Sequence, residues 1–440
     1  MAAFLAVVLL IVFAWGFLNP FGGLVGLLAI NEIRPGELYP VFDAFHVERL
    51  AAIFVLMSLL FHQRSVNLKG PMSRQVLFFW LALFASVPLA FWRTNSLLGA
   101  IGFFKTVVYF FLITNLVNTI SRLKLVIVVF MALNAWLAIS SYWAYAHGSY
   151  YVSSTFGRAE GLTSAGGDPN SLGISLVCGL PFAAMFLFYG NLRLRLLAIV
   201  TIAASLFTMV LTGSRTSFFG FVAMMVMFAI TRRNKLFILP VAVLMVLAIF
   251  VVAPSKYQQR YMSVEQRDQD LSYVNRLNAW KAGLAMMIHN PLTGVGMYNF
   301  PEANGTKYWP GSGRKVWLQP HSLYIQTGAE LGIVGVAAFS WFLWSLYGLN
   351  RAIKTSTEDR KYPKWLHYYP TACNFSLFVL LFTGYAAHSL YRSTWYLLAA
   401  ITSCAYSLTA RGTTEKSPVR TNGVTLKTDG WSAVRAGVSS

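Results

Sequence analysis

The sequence predicts an all-α polytopic membrane protein. Of its 440 residues 56% are hydrophobic and only 11% are charged, and the mean hydropathy is +0.56. A water-facing domain devotes about a quarter of its residues to Asp, Glu, Lys and Arg, so this chain has too few charges to cover a globule of its mass. Apolar runs recur along nearly the whole length, which favours one membrane domain over two or three soluble ones.

A helix needs about 20 apolar residues to cross a bilayer with its backbone hydrogen bonds satisfied internally. Such stretches fall near 2–33, 48–62, 76–92, 98–118, 125–146, 173–190, 196–212, 217–231, 236–253, 322–346, 371–388 and 393–409. The first is too long for one straight helix and contains Asn19, Pro20 and the Gly22-Gly23 pair. It is either one broken crossing or two short half-spans; counted as one crossing it gives about 12 transmembrane helices. It lacks a basic leader, so a retained span is preferred to a cleaved signal peptide. The expected organisation is membrane helices over 1–253 (about nine spans), a partly helical loop over 254–321, membrane helices over 322–409, and a polar cytoplasmic tail over 410–440. Cys178, Cys373 and Cys404 lie in or beside apolar spans without paired spacing, so they read as core residues, not as disulfide or zinc partners.

The chain carries 35 Lys and Arg against 15 Asp and Glu, a net charge of +20. In a membrane protein this excess belongs to cytoplasmic loops or to an anionic ligand, not to nucleic acid. Alternate loops carry Arg64, Lys69 and Arg74; Arg122 and Lys124; Arg193 and Arg195; Arg232, Arg233 and Lys235; Arg351 to Lys364; and the tail. These mark one face as cytoplasmic, the N-terminus included. The opposite, periplasmic face nevertheless holds Lys256, Arg260, Arg267, Arg276, Lys281, Lys307, Arg314 and Lys315 in its long loop, against four acids. Cations kept where topology disfavours them point to an anionic substrate.

Within that loop Asn275–Ile288 places Leu277, Trp280, Leu284 and Met287 at helical spacing, which predicts an amphipathic helix lying against the membrane domain. Arg276 sits in its first turn, where it either faces the substrate or pairs with Asp268 or Asp270. Arg215 lies in the tight turn between two apolar runs. Snorkelling of the arginine and capping by Ser214 and Thr216 explain the turn structurally; a guanidinium beside free helix N–H groups also suits a diphosphate. His321 closes the long loop on the same face and can take up a proton near neutral pH. Glu330, nine residues on and about 13 Å along an ideal helix, is a carboxylate in an apolar run and is expected to support the site without touching His321. Arg158, Asp168 and Asn170 in the Gly-rich segment 157–173, and Arg34 and Arg49 around the loop 34–49, share that face.

Taken together, Arg158-Ala-Glu-Gly161 with Asn170, Ser214-Arg215-Thr216, Asn290-Pro-Leu-Thr-Gly-Val-Gly296, and His321-Ser-Leu-Tyr followed by Glu330-Leu-Gly-Ile-Val-Gly335 resemble the O-antigen ligase and polymerase family. These polytopic enzymes handle sugar chains on undecaprenyl diphosphate. The resemblance covers about 150–335, and Arg34-Pro-Gly-Glu-Leu extends it toward the N-terminus. It implies a GT-C-like fold in the bacterial inner membrane and an inverting glycosyl transfer on the periplasmic face, independent of metal or other cofactor. The implied roles are Arg215 and Arg276 on the diphosphate and His321 at the acceptor, with Arg158, Asn170, Ser214, Thr216, Arg34, Arg49 and Tyr324 binding substrate and Glu330 in support. Where many members have His-Asn, this chain has His321-Ser322, which touches only the neighbour's role.

The expected partners are an undecaprenyl-diphosphate-linked glycan donor, a lipid A-core or other glycan acceptor, and membrane lipids. Ligation to lipid A-core is preferred on chain length and loop size over polymerisation onto a second lipid-linked repeat and over protein O-glycosylation. A glycolipid transporter would place its charges around mid-membrane sites within an internal repeat, and neither is visible. A non-catalytic scaffold would leave Arg215 and His321 replaceable.

Overall fold

A computed structural model describes residues 2–62, 66–152, 157–163, 167–231, 254–262, 271–311, 315–358 and 361–414, with isolated positions between 240 and 251. The expected span 236–253 falls mostly outside the described residues. So do Arg64, Arg232, Arg233, Lys235, Arg267, Asp268, Asp270, Arg314, Arg360 and the tail from 415.

The chain is predominantly helical, with a two-stranded antiparallel ribbon pairing Tyr151–Val152 with Gly157–Arg158. Among the described residues five helices are long and apolar enough to cross a membrane: Arg93–Leu116, Ile120–Ala146, Pro169–Tyr189, Leu192–Leu211 and Leu323–Ser356. Shorter apolar helices, Pro20–Ile33, Ser73–Ala85 and Arg215–Ile230, pack among them, and Lys364–Gly384 and Ser393–Thr414 complete the bundle. Leu60, Phe61, Phe188, Leu192, Ile333 and Trp344 stay exposed, an apolar exterior suited to lipid. Cys178, Cys373 and Cys404 are buried as free thiols.

The stretch 2–33 corrects the count of one crossing. Helix Ala2–Leu18 stops at Asn19, whose side-chain oxygen accepts from the N–H groups of Phe21 and Gly22 at 3.2 Å. Helix Pro20–Ile33 then folds back, so that Gly23 lies against Gly16 and Gly26 against Val12. Glycines permit this approach because a Cβ on Gly23 would lie 2.9 Å from the Gly16 Cα. Helix Val47–His62 runs alongside, with Ser58 Oγ donating to the Phe17 carbonyl at 2.9 Å. The two ends of the 2–33 stretch are therefore at the same end of the bundle, the end that also carries the loop following Pro254, and the N-terminus is not on the side of the basic loops.

Polar side chains cross-link the helices. Asn134 donates to the Ser175 carbonyl at 3.0 Å and accepts from Ser205 at 3.1 Å, tying together Ile120–Ala146, Pro169–Tyr189 and Leu192–Leu211. Each such bond contributes about 0.6 kcal/mol in a membrane interior. Their larger effect is to fix register.

The helix Leu323–Ser356 is interrupted at Gly332, with φ 60° and ψ −157°, a backbone region that essentially only glycine occupies. The break frees backbone groups, and the Pro291–Gly296 turn satisfies them. Val295 N and Gly296 N donate to the carbonyls of Ala329 and Glu330 at 2.8 and 2.9 Å, while Ile333 N and Val334 N donate to Pro291 and Leu292 at 2.9 and 3.2 Å. Gly294, at φ 65°, lies against the same break, since a Cβ there would come within 2.4 Å of the Glu330 carbonyl carbon. The turn is held from its other side as well: Phe91 N donates to the Val295 carbonyl at 2.8 Å, and Asn299 Nδ2 donates to the carbonyls of Trp92 and Val295 and to Ser96 Oγ.

The loop helix spans Leu271–His289 and packs on Leu323–Ser356. Its packed face agrees with the expected Leu277, Trp280, Leu284, Met287 stripe only in part: Trp280 and Met287 are half-buried, Trp280 against Tyr385 and Met287 against the core. Ala279, Ala282 and Met286 are buried with Phe300 and Ala329, whereas Leu277 and Leu284 are exposed. Clearance contributes at one position: a Cβ on Gly283 would lie 2.3 Å from Ile325, so glycine is required there, while the flexible Met286 and Met287 pack beside it.

Replacing Gly332 with Ala adds a Cβ 2.4 Å from the Leu292 carbonyl carbon at a dihedral that costs a non-glycine residue about 1–3 kcal/mol. Gly332→Ala is expected to lower the melting temperature in detergent by several degrees, whereas Gly348→Ala, where a Cβ meets nothing within 4 Å, is expected to leave it unchanged. Equal melting of the two variants would contradict this account of the break.

Candidate functional site

The clasped break holds Glu330 inward. Its carboxylate accepts from the Tyr391 hydroxyl at 2.7 Å, from Gln326 Nε2 at 3.4 Å, and from the backbone N–H groups of Tyr298 and Phe300. Gln326 Oε1 in turn accepts from Leu390 N at 3.1 Å. One buried carboxyl therefore connects the interrupted helix, the 298–300 turn and the segment before Ser393.

These groups form one wall of a cavity of about 760 Å³. Gln326, Glu330, His388, Tyr391 and Arg392 line that side, and Glu32, Arg34 and Lys105 line it from the neighbouring helices. Deeper along Phe104–Leu116 and Ile120–Ala146 the lining becomes apolar, with Phe110, Ile113, Val126 and Phe130. A polar mouth above an apolar floor matches an amphiphile.

His321 stands at the entrance to Leu323–Ser356, its backbone held at φ 44° by the turn into the Ser322 cap. Its ring meets His388 edge to face, centroids 5.2 Å apart. Burial lowers the His321 pKa to about 4, and the nearby His388 and Arg276 act in the same direction while Asp168 opposes them. His388 is likewise lowered by burial. Burial raises the Asp168 carboxyl, but the side-chain hydrogen bond from Ser171 and the backbone bond from Asn170 outweigh it and hold the group below its ordinary value. Asp168 also caps Pro169–Tyr189. Both imidazoles are thus neutral at pH 7, beside an ionised carboxylate and the Arg276 guanidinium.

Arg158 joins this centre to the Arg215 turn. Its Nε donates to the Thr212 carbonyl at 2.7 Å and its NH2 group to Asn170 Oδ1 at 3.2 Å. Ser214 is fully buried and caps Arg215–Ile230, accepting from Ser217 N at 3.2 Å. Arg215 occupies the first helical position and is half-buried, and Thr216 is buried.

The candidates fall into three groups. Asn170, Arg158 and the Ser214-Arg215-Thr216 turn are joined at the start of Pro169–Tyr189, and Arg276 and Asp168 lie within electrostatic range of His321. Arg34 and Glu330 line the cavity, Arg34 also pairing with Glu37 at 2.8 Å. Arg49 and Tyr324 are exposed, the Tyr324 hydroxyl donating to the Leu381 carbonyl at 2.8 Å. Sequence reasoning passed over His388, Arg392 and Lys105. Arg392 carried the same signal as Arg215, a cation at the end of an apolar run on the disfavoured face. Lys105 carried the signal of any lone lysine inside a span. Among the described residues no three His, Cys, Asp or Glu side chains converge as metal ligands would.

The unfolded chain binds a proton on His321 near pH 6.5 and the folded protein near pH 4, so the folded state loses stability as pH falls through that window. Histidine-selective NMR is expected to show His321 neutral at pH 5.5. Full protonation there would contradict its burial.

A comparison with curated proteins gives no match. A family model described as O-Antigen ligase matches residues 199–340. That segment runs from the helix before Arg215, through the loop helix and the clasp, past His321 and Gly332. Over this segment, about a third of the chain, the sequence is similar to the O-antigen ligase family.

Proposed function

We propose that the protein transfers a preassembled glycan from undecaprenyl diphosphate to an acceptor sugar on the periplasmic face of the bacterial inner membrane, with lipid A-core as the preferred acceptor. What supports this reading is Arg158 bonded to the turn before Arg215 and to Asn170, and neutral His321 within electrostatic range of Arg276 and Asp168, with His388 joining them to a cavity that has a polar mouth and an apolar floor. The family domain over the same residues supports it.

In this reading the acceptor hydroxyl oxygen attacks the anomeric carbon, the bond from that carbon to the diphosphate oxygen breaks with its electron pair, and the configuration inverts. Negative charge grows on the diphosphate, and fixed guanidiniums of Arg215 and Arg276 favour that state without a metal. Arg158, committed to Thr212 and Asn170, positions the Arg215 turn. His321 receives the acceptor proton. Although its pKa lies near 4 with the site empty, a bound diphosphate raises it, because an adjacent anion favours the imidazolium.

In-vitro transfer from purified undecaprenyl-diphosphate glycan tests this directly. Arg215→Ala, Arg276→Ala and His321→Ala are each expected to reduce turnover by about 10²–10³-fold while the protein stays folded, and activity is expected to persist in chelator. Undiminished transfer by folded Arg215→Ala and His321→Ala would sink the mechanism. Product identity separates lipid A-core ligation from polymerisation and from protein O-glycosylation.

A further inference from the structure

The cavity holds cations that the proposed chemistry leaves unused. Lys105 lies within Arg93–Leu116, exposed toward the cavity that it lines, with Glu48 within electrostatic range but no ion pair at contact distance among the described residues. An ammonium inside an apolar helix is costly unless something anionic answers it. Across the cavity, among the described residues Arg392 donates to neutral groups, Ser175 Oγ at 2.7 Å and the Ser171 carbonyl at 3.3 Å, with Asp168 and Glu32 in electrostatic range but not in contact. Glu32 lies within electrostatic range of Arg392 and Arg34, and Glu48 within range of Lys105, two carboxylates against three cations.

Two further atoms are unsatisfied. Ser389 Oγ and His388 Nδ1 are buried without a hydrogen-bond partner, and both residues line the cavity. A buried hydroxyl left unpaired costs about 1–3 kcal/mol. Ser389 is only 5% exposed, so bulk water does not answer it. A ligand presenting anionic oxygens would pair these donors and answer the charges of Lys105 and Arg392 together. The apolar floor of Phe110, Ile113, Val126 and Phe130 requires the same ligand to carry hydrocarbon.

We propose that this cavity binds the phosphorylated headgroup of an anionic glycolipid acceptor through Lys105, Arg392, His388 and Ser389, apart from the donor diphosphate on Arg215 and Arg276. The inference rests on the transfer reading above and adds to it a second phosphate site. The touching rings of His321 and His388 mark the boundary between the two, so that an acceptor anchored by phosphate in the cavity presents its sugar hydroxyl toward His321.

The test uses the full chain in nanodiscs, without donor, and measures binding of phosphorylated lipid A-core, of the same lipid after dephosphorylation, and of inorganic phosphate as competitor. Wild type and Arg215→Ala are expected to retain the phosphorylated lipid. Lys105→Gln and Arg392→Gln are expected to weaken it at least about tenfold, which is 1.4 kcal/mol. Dephosphorylation is expected to weaken it similarly in wild type, and displacement by inorganic phosphate alone would show that the site recognises free phosphate without lipid, overturning the acceptor assignment. Undecaprenyl-diphosphate glycan binding serves as the fold control and is expected to be unchanged in Lys105→Gln and Arg392→Gln. Equal retention by all variants, or a loss of donor binding in Lys105→Gln, would overturn the proposal. Because binding is read without turnover, an absence of transfer by wild type would count against the proposed function and leave this result standing by itself.

Discussion

Four backbone hydrogen bonds between the Pro291–Gly296 turn and the interruption at Gly332 organise the loop-bearing end of the bundle. An interrupted helix in an apolar setting exposes N–H and C=O groups that lipid cannot satisfy. The turn supplies partners on both sides of the break. The consequence is directional: Glu330, just before the interruption, is held against Tyr391, Gln326 and the 298–300 turn, and the segment from His388 to Arg392 is drawn to the same place. The loop helix rides on this arrangement through Phe300 and Ala329, so the position of Arg276 depends on it as well.

The same clasp explains why two sequence motifs separated by more than thirty residues occur together. Asn290-Pro-Leu-Thr-Gly-Val-Gly296 and Glu330-Leu-Gly-Ile-Val-Gly335 are the two halves of one backbone exchange. Gly294 and Gly332 are glycines because backbone lies where a Cβ would be, at positive φ. The Glu330 carboxylate, accepting from the Tyr391 hydroxyl and the Gln326 amide, then forms a polar network with them. Such a network rigidifies when complete and destabilises when broken.

Much of this fold was legible because apolar length and period are strong signals. The helices at 48–62, 98–118, 125–146, 173–190 and 196–212 occupy the expected stretches. The hairpin in 2–33 was not, since its cause is packing of Gly16 on Gly23 and Val12 on Gly26, which hydropathy does not register. The loop-helix face was read correctly at Trp280 and Met287 and misjudged at Leu277 and Leu284 for a related reason. Hydrophobicity favoured Leu277 and Leu284, whereas the contact with Ile325 demanded smallness. Within the candidate site, Arg158, Asn170, Arg215, Arg276 and His321 were visible as polar residues at span ends on one face. His388 and Arg392 were not, because only the three-dimensional fold brings the short connection after Gly384 beside His321 and Ser171.

In the proposed function one end of the bundle receives anionic lipid headgroups, with His321 between two cationic regions. The central claim is that the diphosphate of a lipid-linked glycan rests on Arg215 and Arg276 with its sugar facing His321. The most direct measurement is a high-resolution cryo-EM map of the protein in nanodiscs with an undecaprenyl-diphosphate glycan. The account predicts diphosphate density in contact with both guanidiniums and hydrocarbon density descending along the apolar helices. Diphosphate density at the opposite end of the bundle, or remote from both arginines, would contradict it.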